Sequence, residues 1–360
     1  MQAEGKVSFF LGANAPGGFY SLYDQLIDLE QARRVYILKG GPGCGKSSLM
    51  GRVGRAAEEA GLAVEYIRCS GDPDSLDGVV IPALGTAVVD GTAPHVVEPR
   101  YPGLVERYVN LGECYDGAGL AGVAEDLKGC MKGYKSCYQR AYRCLTAAEQ
   151  LEEDGRALLL TPALRARMEK RARGILSREV KKTGGGPGRS VQRFLGAVSW
   201  QGELDGFETV EALCQRVYEL SDPWGLAHDM LTTLAAGALA AGHDVIVCPS
   251  PLCPERMEHL LVPGLSLAFV TTNPARSWLR RPYRRVRLDA MADPELARRC
   301  KARLKFARKV SAALKEEAVD SLAQAKAMHD RLEALYNPHV DFQRVYQTAD
   351  ALAEEILAQT

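Results

Sequence analysis

Arg34-Val35-Tyr36-Ile37-Leu38-Lys39 runs directly into Gly40-Gly41-Pro42-Gly43-Cys44-Gly45-Lys46-Ser47-Ser48. The first six residues have the apolar, β-branched and aromatic content of a short buried strand. Gly40 to Ser47 match the pattern G-x-x-x-x-G-K-[ST] at every fixed position. Leu49-Met50 and then Val53-Gly54-Arg55-Ala56-Ala57-Glu58-Glu59-Ala60 read as helix, with Gly61 where a C-cap belongs. Strand, glycine loop and helix in that order predict an α/β fold of P-loop NTPase type, built on a parallel sheet.

The residue types suit a polyphosphate. Glycines let the backbone curl until its N–H groups converge, and the following helix N-terminus adds favourable dipole charge. On this reading Gly40, Gly41, Pro42, Gly43, Cys44, Gly45, Lys46, Ser47 and Ser48 cradle ATP. Lys46 reaches the β- and γ-phosphates, and the Ser47 hydroxyl holds Mg²⁺. No N-K-x-D guanine motif occurs, so the expected base is adenine.

Outward from the loop, the chain repeats itself. Val7-Ser8-Phe9-Phe10-Leu11-Gly12-Ala13 recurs as Val191-Gln192-Arg193-Phe194-Leu195-Gly196-Ala197, and Arg34-Val35-Tyr36 as Arg216-Val217-Tyr218. Val80-Ile81-Pro82-Ala83-Leu84 is matched by Leu261-Val262-Pro263-Gly264-Leu265. The expected organisation is therefore two homologous α/β domains, 1–183 and 189–360, joined by a flexible glycine-rich linker at 184–188. Gly40 to Ser47 aligns with Asp222-Pro223-Trp224-Gly225-Leu226-Ala227-His228-Asp229. His228 and Asp229 replace the lysine and serine, Trp224 is bulky, and two aspartates repel phosphate. The second copy is thus expected to act structurally or in recognition, leaving one working site.

Around that site the candidates are carboxylates and one histidine. Leu62–Arg68 reads as a strand, followed by a loop, Cys69 to Gly78, that carries Asp72, Asp74 and Asp77. Such loops lie beyond strand carboxyl ends, where α/β sheets place their crevices. Asp72 or Asp74 could be the base of a small-molecule kinase, or equally a turn residue. Thr86-Ala87-Val88-Val89 ends in Asp90, the position of a Walker B acid that holds Mg²⁺ through water. His95, next to Pro94, could sense the γ-phosphate or position water. It could also serve only its own domain.

Beyond each α/β unit the pattern turns helical, over Ala118 to about Glu179, Glu295 to Leu335 and Arg344–Ala358. Lys128, Lys132, Lys135, Arg140 and Arg143 alternate with Tyr134, Tyr138 and Tyr142, a pattern expected of solvated helix surface more than of a nucleic-acid site. Cys130, Cys137 and Cys144 recur every seven residues and suit a packed seam. Cys248 and Cys253 lack two further ligands, so no structural zinc is expected. Arg276, Arg280, Arg281, Arg284, Arg285 and Arg287 could bind an anion or form a salt-bridged face.

Composition bounds the rest. The chain has 360 residues, with 45 Lys plus Arg against 45 Asp plus Glu, and a pI near 7.0. That neutrality gives no global case for nucleic acid. No leader pattern or long apolar run is read, and ten cysteines, one inside the loop, fit a reducing compartment; the expected location is cytoplasmic, without membrane.

With Gly40–Ser47, Ser75-Leu76-Asp77-Gly78-Val79-Val80-Ile81-Pro82 and Asp90-Gly91-Thr92-Ala93-Pro94-His95 in view, the chain resembles a family of uncharacterised tandem P-loop ATP-binding proteins. These are labelled ATPases and occur in anaerobic and spore-forming bacteria. The resemblance extends to the helix at Ala325-Lys326-Ala327-Met328-His329-Asp330. It implies ATP binding without a substrate. Both halves of family members can carry a P-loop, so the chain departs from the family at Asp222–Asp229.

Overall fold

The computed structural model describes residues 6–358. Its first half holds β1 (Val7–Phe10), β2 (Gly12–Ala15), β3 (Gly18–Ser21), β4 (Arg34–Lys39), α1 (Lys46–Glu59), β5 (Glu65–Arg68), β6 (Leu76–Ile81), β7 (Thr86–Asp90) and β8 (Glu106–Asn110). Three helices follow, α2 (Gly117–Ala121), α3 (Ala124–Leu159) and α4 (Pro162–Glu179). The second half holds β9 (Ser190–Gln192), β10 (Ala197–Ser199), β11 (Gly202–Leu204), α5 (Phe207–Leu213), β12 (Arg216–Ser221), α6 (His228–Ala240), β13 (Val245–Ser250), β14 (Cys253–Val262), β15 (Leu267–Thr272) and β16 (Arg284–Arg287). It closes with α7 (Pro294–Tyr336) and α8 (Phe342–Leu357).

The duplication is visible strand by strand. One six-stranded sheet has the order β1-β5-β6-β7-β4-β8 and the other β9-β13-β14-β15-β12-β16, each accompanied by a hairpin, β2-β3 or β10-β11. The sheets are mixed, which corrects the expectation of a parallel sheet. β6 runs antiparallel to both β5 and β7, as β14 does to β13 and β15. The cause is connection length. Only Pro82–Gly85 separates β6 from β7, with Gly85 at φ +56°, whereas a parallel neighbour needs a crossover of about a dozen residues.

The halves share a core. Phe10 and Phe194, equivalent in the repeat, exchange backbone hydrogen bonds of 2.9 Å in each direction, as expected at a local two-fold axis. Phe9, Ile37 and Val89 of the first half pack in one cluster with Phe194, Val217 and Val270 of the second. Over this body lies a long antiparallel pair, α3 against α7. Leu127 and Cys130 meet Leu332 at one end, Ala141 and Leu145 meet Ala318 and Leu322 further along, and Gly155 faces Leu304 at the other. Of the three cysteines expected to line a packed seam, Cys130 is buried against Leu332, Cys137 is buried and Cys144 is half-buried beside the Ala141–Ala318 cluster.

Helix packing does not follow a division at 183 and 189. The apolar face of α4 (Leu164, Met168, Ala172, Ile175) packs on α6 of the second half. Ala349, Leu352, Ala353 and Ile356 of α8 pack on Leu49, Met50 and Val53 of α1 in the first. The glycine-rich segment is also tied down. Thr183 N–H donates to Ala241 O and Gly188 N–H to Leu239 O, both at 2.9 Å, so the segment is docked on the end of α6 and is not a free linker.

Candidate functional site

The glycine loop leaves β4 at the carboxyl edge of the first sheet. Gly43 at φ +69° and Gly45 at φ +82° make its turns, in a region that side-chain-bearing residues avoid. α1 begins at Lys46, so its unpaired first-turn amides and the positive end of its dipole face the loop. The Lys46 ammonium is folded into the loop. It donates to Gly40 O and Gly41 O at 2.8 Å each, and lies 3.6 Å from Asp90 Oδ2, with each side chain 12% exposed.

Asp90 arrives from β7, the parallel neighbour of β4, in register with Leu38. Its Oδ1 accepts from the Thr92 amide at 2.8 Å and the Thr92 hydroxyl at 2.6 Å, which leaves Oδ2 toward the lysine. Ser47 Oγ accepts from Leu76 N–H at 3.0 Å, joining the start of α1 to β6. Cys44 is buried beneath the loop and Ser48 is exposed. The structure therefore gathers Lys46, Ser47 and Asp90 around the loop.

The outer side of the loop is packed by Tyr115 and by residues near the far end of the chain. Tyr115 OH donates to Pro42 O at 3.0 Å. The Asn337 side-chain amide donates to Gly43 O at 3.1 Å, and a Cβ placed on Gly45 would meet Val345 at 3.1 Å. Burial pushes the Tyr115 phenol far up, so it stays protonated and keeps donating.

The other candidates fall elsewhere. Asp72 accepts from Ser75 Oγ at 2.9 Å and lies 3.7 Å from Lys326 of α7. Asp74 accepts from Gln201 Nε2 at 3.0 Å across the halves. Both act as turn and bridging residues. His95 is buried between Tyr23 (centroids 5.0 Å, 16° apart) and Phe19 (5.3 Å), with Nε2 3.3 Å from Asp77 Oδ2. It does not join the lysine. No protein family, curated protein or solved structure matches this chain.

Sequence reasoning counted Asp77 among three loop aspartates; the structure makes it a different kind of residue. The β5–β6 ladder jumps from Ile67↔Gly78 to Arg68↔Leu76, so a bulge leaves Asp77 unopposed and aims it inward. Its carboxylate accepts from Tyr23 OH at 2.8 Å. Burial raises its pKa and the nearby Asp90 adds to that, with His95 opposing. Cys69 completes the group, its thiol pushed well up by burial and then by Asp77. A carboxylate immediately before the apolar run Gly78-Val79-Val80-Ile81 was the available signal.

In the second half the equivalent loop is closed by its own side chains. Asp222 accepts from the amides of Leu226 (2.8 Å) and Ala227 (2.7 Å), so its carboxylate occupies the turn's free backbone donors. His228 Nδ1 accepts from Met257 N–H at 3.0 Å and Asp229 pairs with Arg165. A cavity of about 740 Å³ opens beside it, lined by Trp224, Arg256, Arg276, Arg308 and Lys315 among others. The arginine run is largely spent on ion pairs, Arg276 with Glu258, Arg280 with Glu211 and Arg285 with Glu219. Tyr134, Tyr138 and Tyr142 contact one another, Tyr134 edge-on to Tyr138 and Tyr138 tilted against Tyr142. No described helix is long and apolar enough to cross a membrane.

Proposed function

We propose that the chain is a P-loop protein that binds ATP with Mg²⁺ and hydrolyses it at one site, in its first half. The observation that carries this reading is the junction of β4, a loop with left-handed glycines and α1, with the Lys46 ammonium 3.6 Å from Asp90 on the adjacent parallel strand. An ammonium held by two carbonyls and a nearby carboxylate is a cation waiting for a better anion. On binding, Lys46 would exchange the Gly40 and Gly41 carbonyls for β- and γ-phosphate oxygens, and loop amides would take the remaining charge.

The oxygens of Ser47 and Asp90 fit Mg²⁺, a hard cation that favours oxygen and keeps several waters. Bound there, the ion would neutralise charge on the transferring phosphoryl group. Ser47 would hold it directly and Asp90 through water, while Thr92 fixes the carboxylate's orientation. The contacts of Gly43 and Gly45 with Asn337 and Val345 favour a nucleotide state that is felt by α8. A non-hydrolysing, nucleotide-gated scaffold would use the same contacts. The small-molecule kinase reading draws less support, because Asp72 and Asp74 accept hydrogen bonds from Ser75 and Gln201, and the carboxylate beside Lys46 is that of Asp90.

The test is ATP binding and turnover with Mg²⁺ by the purified chain beside Lys46→Ala. Turnover that disappears in the variant supports the ATPase. Tight binding without turnover supports the scaffold, and no binding by the wild type removes the proposal.

A further inference from the structure

We infer that Cys69, Asp77 and His95 form a binding site for a zinc-class transition metal, separate from the Mg²⁺ position at Ser47 and Asp90. Three observations carry it. The first is convergence. Cys69 comes from the end of β5, Asp77 from the bulge at the start of β6 and His95 from the segment after β7, yet one ligand atom from each lies within 4.8 Å of the others. Ligand atoms around a tetrahedral zinc are roughly 3.3–3.8 Å apart, so small rotations close the site.

The second is the state of His95. It is 7% exposed, and neither ring nitrogen makes a hydrogen bond, although Nε2 lies 3.3 Å from Asp77 Oδ2. A buried imidazole with both nitrogens unsatisfied is costly unless something binds it. Tyr23 stacks on the ring and donates to Asp77, which orients two of the three ligands at once.

The third comes from the repeat. The strand registers set Glu258 at the place of Asp77. The same offset carried past the strand ends sets Ser250 at Cys69 and Arg276 at His95; the backbone amides of Arg276 and His95 both donate to the carbonyl three residues back, at 3.1 and 2.9 Å. In the second half, then, the carboxylate pairs with a permanent cation, Arg276, and the thiol is a hydroxyl. Beside Asp77, His95 stands where the arginine would be and Cys69 where the hydroxyl would be, so the carboxylate faces two metal-binding side chains. The same buried carboxylate would be neutralised by a side chain in one half and by a metal ion in the other.

Sulfur, imidazole and carboxylate together select zinc or cobalt over magnesium, and three protein ligands leave a fourth position for water or a ligand. The experiment strips the full-length chain with a chelator and titrates it with Co²⁺ alone, without nucleotide. The expected result is one equivalent bound, with a sulfur-to-cobalt charge-transfer band that Zn²⁺ abolishes. The band should vanish in Cys69→Ser and His95→Ala and persist in Cys253→Ser and in Lys46→Ala. Persistence in Lys46→Ala separates this site from the nucleotide proposal. If the site variants do not fold, the wild type still decides: Zn²⁺ should protect Cys69 from alkylation, read by peptide mass. A wild type without the band, a band that survives Cys69→Ser, or an unprotected Cys69 would overturn the inference.

Discussion

Lys46 and Asp90 are the residues on which the proposed nucleotide site rests. Their 3.6 Å separation, with 12% of each side chain exposed, leaves the carboxylate close enough to hold the ammonium in the loop. If the proposed ATPase reading holds, Lys46→Ala removes the main positive charge that would face a phosphate, and turnover should fall at least about 100-fold. Asp90→Asn keeps the Thr92 contacts at Oδ1 but weakens metal attraction; the expected change is a higher Mg²⁺ requirement in a titration of turnover. Unchanged Mg²⁺ dependence would count against Asp90 as a metal-positioning residue.

His259 offers a residue-scale prediction about stability. Burial pulls its ring down to about 4, with Glu258 opposing the shift and Arg276 adding to it, and its Nδ1 accepts from Thr271 N–H at 3.1 Å. An unfolded histidine titrates near 6.5, so below that pH the unfolded chain binds a proton that the native chain refuses. Stability should therefore fall as pH drops from about 6.5 toward 4, by up to about 3 kcal/mol from this group. Urea midpoints at pH 7 and pH 5 will show it, and His259→Gln should flatten the difference. Equal losses in both proteins would place the acid sensitivity elsewhere.

At the scale of elements, α8 is the part whose role was least evident. Its apolar stripe, Val345, Ala349, Leu352 and Ile356, follows helical spacing and seats on α1, directly behind the glycine loop. Leu352→Ala should cost about 2–5 kcal/mol in urea unfolding, as other buried leucines do. The neighbouring Arg52–Asp350 ion pair, at 3.0 Å but exposed, should matter far less; Asp350→Ala is expected to shift stability by under about 1 kcal/mol. Because Val345 lies 3.1 Å from where a Gly45 side chain would begin, Gly45→Ala should perturb α8 as well as the loop. Hydrogen exchange of α8 amides would report that.

Much of the element level was legible in advance. The strand at Arg34–Lys39, the loop and the helix after it were readable because their signals are local: apolar runs, glycines able to take positive φ, and a 3.6-residue period. β6 was not readable as a strand between antiparallel neighbours, since Leu76 to Ile81 carries no mark of its partner. The bulge that turns Asp77 inward exists only in the pairing with β5.

For the whole molecule, the decisive feature is that the repeats are fused. The Phe10–Phe194 bridge and the mixed cluster around it draw on both halves, while α4 and α8 each pack on the half they do not follow in sequence. Unfolding should therefore appear as a single calorimetric transition. Segments 1–183 and 189–360 expressed separately should fail to fold, each lacking a helix the other supplies. Two resolved transitions, or a stable isolated half, would contradict this.

By itself the sequence determined the duplicated α/β plan, the glycine-rich loop from Gly40 to Ser47 and the different residues, Asp222–Asp229, at the equivalent place in the second half. Each of these is written in contiguous residues whose backbone preferences and side-chain charges act over a few positions. Only the tertiary structure decided that the sheets are mixed, that the C-terminal helix backs the loop, and that Cys69, Asp77 and His95 meet. Those arrangements join residues tens to hundreds of positions apart. The free energy that selects them comes from burying shared apolar surface and neutralising buried charge, and neither quantity exists until the chain has folded.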